Sequence, residues 1–513
     1  MTKSLTRWTL LASAGILCWL AAAPSATLSS EQARARPSRQ LRQSFLERVA
    51  RAYYPGRSGQ IVVVPKEGHF ITRRDPTVRY MHGSPWDYDS RIPFFFYGPA
   101  FIRAGTFPEP VSQQDMAPTL ASLLGASMPG TIAGRSLRSI LEPAAVRPRL
   151  IVLAVLDGMR LDYFERHAAV LPTLSRLRKQ GAWFSNARVN YLPTITGVAH
   201  ATIATGADPR VHGIAANSFF DRVTAKATDA YAGLSPRLLM ALTVADVWNL
   251  RTDGRAVIVG QGSVARAALP LAGHGACQFN GHPVIAASYK LETGGWETNP
   301  DCYQLPDYLK GVNARALWEG SDGFWMGHPI ASPDQIRGSS LFSKFETDAL
   351  TLMIEREPLG SDEVTDLLFV NLKTPDYIGH RYGPHSPELR EALAALDRDL
   401  TRVIEALDAK VGRDRYVMAF TADHGMPAEP DTRIGRERHF ADDLVKSIHD
   451  AFDSQQKLVT HYESENGQLS IAPGRLRELG LDLDALARFL ETQPFVFAAY
   501  TEVEVAWAAA LIR

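Results

Sequence analysis

At 513 residues the chain is about twice the length at which single hydrophobic cores stop growing, so one large α/β domain with insertions, or two domains, is expected. Lys plus Arg and Asp plus Glu number 55 each. That balance leaves no overall field to hold the protein on nucleic acid or on an anionic membrane, so function has to be sought in local sites.

The N-terminus reads as an export signal. Lys3 and Arg7 precede an uncharged apolar run from Trp8 to Ala23, and small residues Ala21 to Ala26 follow. The run is shorter than the ~20 residues that span a bilayer, and Cys18 lacks the small residues of a lipoprotein cleavage site, so residues 1–26 are expected to be a cleaved signal peptide with no stable membrane anchor. The expected destination is the periplasm or the exterior. Removal of the signal leaves Cys277 and Cys302 in a compartment that permits disulfides. They either pair, closing a loop worth ~3 kcal/mol in the chain-entropy model, or stay as two thiols.

Residues 27–40 are polar and Arg-rich and read as a linker. Leu41, Phe45, Val49 and Tyr53 then recur every four residues as the apolar face of a helix. Gln60 to Val64 and Ile92 to Tyr97 read as strands, and Met116 to Leu124 and Leu137 to Leu141 as short amphipathic helices. From residue 148 buried strands alternate with helices: Leu150 to Leu156, Arg255 to Gly260, Asp366 to Asn371 and Arg415 to Thr421, with a helix over Pro387 to Leu407. Continuous apolar runs of this kind predict a doubly wound, mostly parallel sheet covered by helices on both faces. Residues 218–350, rich in Gly, Pro, Trp and Tyr, read as a cap or insertion within the main segment, 148–513.

In open α/β sheets ligands bind beyond the carboxyl ends of the strands. Asp157 follows the first buried strand, where an Asp-Gly turn is the ordinary reading. Asp376 and His380 follow the strand ending at Asn371, and their four-residue spacing sets both on one face of a helical turn. Asp423 and His424 follow the strand ending at Thr421. Together these residues supply five of the six N/O ligands that two zinc ions need. Thr196 stands at a predicted helix start, where a hydroxyl is ordinarily a cap. The same place aims helix N–H groups at an anion, and zinc coordination makes an alkoxide accessible, so Thr196 is the candidate nucleophile.

The strand with Asp157, Thr196-x-x-x-His200, His212-Gly213-Ile214 followed by Asn217, Asp376-x-x-x-His380 and Asp423-His424-Gly425 resemble, in order and spacing, the alkaline phosphatase superfamily. The resemblance is to its threonine-nucleophile alkaline phosphatase and nucleotide pyrophosphatase/phosphodiesterase branch. It implies two Zn2+ ions: Asp376 and His380 hold one, Asp157, Asp423 and His424 the other, with Thr196 attacking phosphorus and Asn217 contacting a phosphate oxygen. The family's last ligand is a histidine near the C-terminus, and His439, His449 and His461 lack its His-Gly context. His82, in Met81-His82-Gly83-Ser84-Pro85-Trp86, matches it instead, so segment 41–147 resembles the family's closing part moved to the front. The resemblance therefore implies a circularly permuted order, which close-lying termini tolerate.

The resemblance also covers Arg266. Monoesterases of this branch carry a Lys two residues earlier, and here that position is Val264. A monoester dianion needs more positive charge than a diester, so the expectation is a phosphomonoesterase of small phosphorylated substrates with phosphodiesterase as the alternative. A non-catalytic relative that binds metal or phosphate is a further alternative. A sulfatase is disfavoured, because neither remaining cysteine sits in a Cys-x-Pro-x-Arg setting.

Overall fold

The computed structural model describes residues 30–512 apart from 144–145, 223, 275–276, 278–282, 428–437 and 466. The expected signal peptide lies outside the described residues. The chain divides into two units, residues 1–43 and Ser44–Arg513, and the architecture below is that of the second.

Nine strands form the central sheet, taken in chain order as β1 (Phe94–Tyr97), β2 (Gly105–Phe107), β3 (Leu150–Leu156), β4 (Ala182–Phe184), β5 (Ile258–Gly262), β6 (Ile285–Lys290), β7 (Gly295–Glu297), β8 (Asp366–Leu372) and β9 (Tyr416–Thr421). Their order across the sheet is β7-β6-β5-β8-β3-β9-β1-β4-β2. The five strands from β6 to β9 run parallel, while β7 and β1 join antiparallel. This is the mostly parallel sheet expected from the apolar runs. All seven residues of β3 are buried, between β8 and β9, which explains why it carries no polar alternation. Phe95 of β1 stacks on Phe420 of β9 with ring centroids 4.6 Å apart, and at ~1.5–3 kcal/mol per buried large apolar side chain such contacts set the register of the inner strands.

A second, antiparallel sheet was not expected. Its order is Val459–Glu463, Gln468–Ile471, Ile61–Pro65, Val496–Thr501. Ile61 pairs with Thr501 and Val64 with Ala498, so a strand from the front of the chain is held between strands from its back. Helices Ala441–Phe452 and Leu483–Glu491 bury Leu444, Ile448, Leu486 and Leu490 against this sheet in a core of its own.

Three expectations need correction. Residues 30–40, read as linker, belong to one helix, Ser30–Ala52. Ala, Arg, Gln and Glu are good helix formers, and polarity alone does not exclude a helix. The range 218–350 is not insertion throughout: besides the expected strand β5, both β6 and β7 lie within it and belong to the central sheet, because a short apolar run flanked by turns is a buried strand. The turn at 137–141 is a single 3-10 turn, Arg138–Ile140, too short to be an amphipathic helix. The thiol question is settled, since Cys277 and Cys302 form a disulfide with Cα atoms 4.3 Å apart.

Candidate metal and phosphoryl-transfer centre

Three parallel strands deliver the acidic residues. β3 ends at Asp157, which is fully buried and whose N–H donates to the Leu372 carbonyl (3.0 Å). Gly158 has φ +70°, and a Cβ there would lie 3.0 Å from Asp376 Cα, so glycine lets the two strand-end loops close on each other. β8 runs into helix Thr374–Tyr382, whose first turn carries Asp376 and whose last carries His380. β9 leads through Ala422 to Asp423 and His424, both fully buried. Asp423 Oδ1 accepts from the Gly158 and His424 N–H groups (3.1 and 2.9 Å), leaving Oδ2 to face inward.

The histidines are prepared alike. His82 Nδ1–H donates to the Thr194 carbonyl (2.9 Å), His380 Nδ1–H to the Tyr80 carbonyl (2.6 Å) and His424 Nδ1–H to the Gly425 carbonyl (2.8 Å). Each bond fixes the tautomer and points Nε2 at a carboxylate, as a backbone carbonyl on the far ring nitrogen does for metal-ligating imidazoles. His82 Nε2 and His380 Nε2 lie 3.5 and 3.3 Å from Asp376 Oδ1. His424 Nε2 lies 3.5 Å from Asp157 Oδ1 and 3.2 Å from Asp423 Oδ2. Burial and the neighbouring His424 and His380 push the His82 imidazole well below its ordinary pKa, so it stays neutral.

The fit to a pair of cations rests on the orphaned atoms. Asp157 Oδ1, Asp376 Oδ1 and Asp423 Oδ2 are buried and have no hydrogen-bond partner among the described residues. Burial and the nearby Asp423 carboxylate raise the Asp157 carboxyl well above the usual range, a cost that bound cations would relieve. His82, Asp376 and His380 bring one ligand atom each within 4.8 Å of one another, as do Asp157, Asp376 and His424, and Asp157, His200 and Asp423. An N/O donor set of this composition suits zinc. All six expected protein ligands thus meet at one place, His82 included.

Thr196 is 2 % exposed and opens helix Thr196–Thr205, but the cap position is Ile195 and the Thr196 hydroxyl does not cap. Its Oγ1 instead faces His424 Nε2 at 3.4 Å and the Lys373 ammonium at 3.3 Å. His200, buried and held to a pKa of about 4 by desolvation, donates Nδ1–H to the Thr196 carbonyl (2.8 Å) and so fixes the turn that presents this hydroxyl. His212 is structural: it pairs with Thr202 Oγ1 (2.9 Å) beneath the helix.

Asn217 Oδ1 accepts the Gly197 N–H at 2.9 Å, so this helix N–H is taken by a side chain rather than left open to an anion as its position suggested. The Asn217 amide donates to Glu465 Oε2 (2.6 Å). Arg266 stands beside it, since a Cβ on Gly197 would lie 2.8 Å from Asn217 Oδ1 and 3.4 Å from Arg266 Cβ. A cleft of about 350 Å³ opens above, lined by Arg73, Arg266, Lys373, Asp376, His380 and Glu465 among others.

Sequence reasoning missed Lys373, Asn371 and Glu465. Asn371, the penultimate residue of β8, donates to Asp157 Oδ2 (2.9 Å), and both it and Lys373 lie next to a motif already singled out. Glu465 lies in the turn that follows strand Val459–Glu463 of the second sheet and has no local signal.

Residues 150–477 match the family model described as type I phosphodiesterase / nucleotide pyrophosphatase. Among curated relatives, the alkaline phosphatase PafA of Elizabethkingia meningoseptica is 29% identical over 330 residues, covering 55% of this chain and 60% of the relative. Alkaline phosphatase PhoV of Synechococcus elongatus is 27% identical over 338 residues, covering 57% and 62%. The matched stretch therefore spans about 60% of these relatives' length. The crystal structure of wild-type PafA superposes with a TM-score of 0.59 at 25% identity, covering 69% of this chain and 78% of that one. The chain belongs to the type I phosphodiesterase / nucleotide pyrophosphatase family, within the alkaline phosphatase superfamily.

Proposed function

We propose that the protein is an exported, zinc-dependent hydrolase of phosphate esters that works through a phosphothreonine at Thr196 and prefers monoesters. The observation that carries this reading is the Thr196 hydroxyl, uncapped and aimed at His424 Nε2 among three unpartnered carboxylate oxygens. Asp376, His380 and His82 would hold one ion, and Asp157, Asp423, His424 and the Thr196 oxygen the other. Bound there, the ions supply Lewis acidity to the reacting phosphate and lower the pKa of the threonine hydroxyl.

The chain's own residues do the rest. Thr196 Oγ1 attacks phosphorus in line, the P–O bond to the leaving group breaks, and water later cleaves the phosphothreonine and restores the hydroxyl. His200 holds the nucleophile's backbone, while Arg266, which lines the cleft, and Asn217 would contact phosphate oxygens. Export rests on the N-terminal signal pattern, and the substrates would be small phosphorylated molecules. The permuted order belongs to the same proposal. Its support is the pairing of Ile61–Pro65 with Val496–Thr501 and the arrival of His82 beside Asp376 and His380.

One observation favours diesters: position 264, the cap of helix Ala265–Ala272, carries valine and no charge. The expected outcome of comparing aryl phosphate monoester and diester substrates is a higher kcat/KM for the monoester. Val264→Lys should raise that ratio further, by about 10-fold. A wild type faster on the diester would make phosphodiesterase the activity.

A further inference from the structure

Lys373 follows the last residue of β8 and is 2 % exposed, yet it is a charged residue in neither the expected ligand set nor the expected phosphate contacts. Its Nζ lies 2.7 Å from Asp376 Oδ2, 2.9 Å from Asp157 Oδ2 and 3.3 Å from Thr196 Oγ1. The two carboxylates are thereby divided. Each gives Oδ2 to the ammonium and keeps Oδ1, unpartnered, toward the histidines. Lys373 thus stands beside the cation ligands without competing for the same oxygens. Its position is fixed from behind, since its backbone N–H donates to Glu346 Oε1 (2.8 Å) while Thr374 Oγ1 donates to Glu346 Oε2 (2.9 Å).

An ammonium has three N–H donors, and the two aspartates use two. The third is directed at the nucleophile. A phosphoryl group bonded to Thr196 Oγ1 carries its non-bridging oxygens two bonds from Oγ1, within hydrogen-bond reach of a donor already 3.3 Å from Oγ1. The neighbouring cleft opens on Lys373 and Arg266 together, so a phosphate entering it meets both cations.

Resting on the phosphothreonine reading, we propose that Lys373 is a catalytic residue: its ammonium holds Thr196 Oγ1 and then a non-bridging oxygen of the transferred phosphoryl group. It thereby supplies the charge that favours a dianionic monoester over a diester, from the end of β8 rather than from position 264. In the step, the Oγ1–P bond forms and the P–O ester bond breaks. The leaving oxygen departs with the bonding pair and is protonated by solvent, the Thr196 proton passes to solvent, and Lys373 keeps its proton throughout.

Lys373→Gln and Lys373→Arg test this in the full-length protein. Three quantities are read: zinc per chain by elemental analysis, calorimetric affinity of the zinc-loaded protein for inorganic phosphate, and kcat/KM for an aryl monoester and an aryl diester. The expected result for Lys373→Gln is unchanged zinc, phosphate binding weakened about 10-fold or more, a monoester loss of about 100-fold and a diester loss under about 10-fold. Lys373→Arg, which keeps the charge, should recover part of the monoester preference. Equal losses on the two esters, unchanged phosphate affinity, or loss of zinc from both variants would overturn the assignment. A wild type that turns over neither ester would instead defeat the underlying functional reading, whereas an active wild type with an unaffected Lys373→Gln variant defeats only this inference.

Discussion

Thr196→Ala should retain the proposed zinc ions and lose turnover by about 10⁴-fold or more, the range expected when an enzyme loses the atom that forms its covalent intermediate. The reason for retention is that the six protein ligands proposed for the ions come from elsewhere: His82 from the loop before β1, and the others from the ends of β3, β8 and β9. Alanine is also compatible with the first turn of a helix, and the lost hydroxyl makes no capping bond, so the fold has little to lose. Elemental zinc analysis beside kcat on an aryl phosphate checks both halves. Undiminished activity in a preparation free of contaminating phosphatase would remove Thr196 from the mechanism.

His82→Ala should lower zinc content as severely as His380→Ala, with affinity for one of the two ions falling by at least about 100-fold. Both imidazoles present Nε2 to the same oxygen, Asp376 Oδ1, and both are held by a backbone carbonyl at Nδ1. The backbone that carries His82 is itself constrained. Gly83, the next residue, shows how tightly that backbone is set: its φ is +119°, and a Cβ would lie 2.2 Å from the Glu465 carbonyl oxygen. Thermal unfolding of the variants separates loss of a ligand from loss of the fold. Full occupancy of both sites in His82→Ala would withdraw His82 from the ligand set, and with it the main support for a permuted chain.

Legibility in the sequence followed the range of the interactions. β3, β8 and β9 were readable because strands buried on both faces must be continuously apolar, and Asp157, Asp376 and Asp423 were readable because such strands end at the site. The pairing of Asp376 with His380 follows from helical spacing alone. His82 carries no such local signal. It sits in a loop nearly three hundred residues from its partners, and only the resemblance of the surrounding segment pointed to it. The second sheet escaped for the same reason, since antiparallel pairing of 61–65 with 496–501 leaves no mark on either segment. Lys373 was passed over because a lysine after a strand ordinarily faces water, and nothing in the sequence announces that two aspartates and a threonine will close around it.

The two-cation, Thr196 account meets its most direct test in the reaction intermediate. Acid quenching during turnover of an aryl phosphate, followed by digestion and mass spectrometry, should give one phosphorylated peptide, with the phosphate on Thr196 and absent after zinc is removed. A phosphate found on another residue, or an enzyme in rapid turnover with none on Thr196 under conditions that trap phosphothreonine, would contradict it.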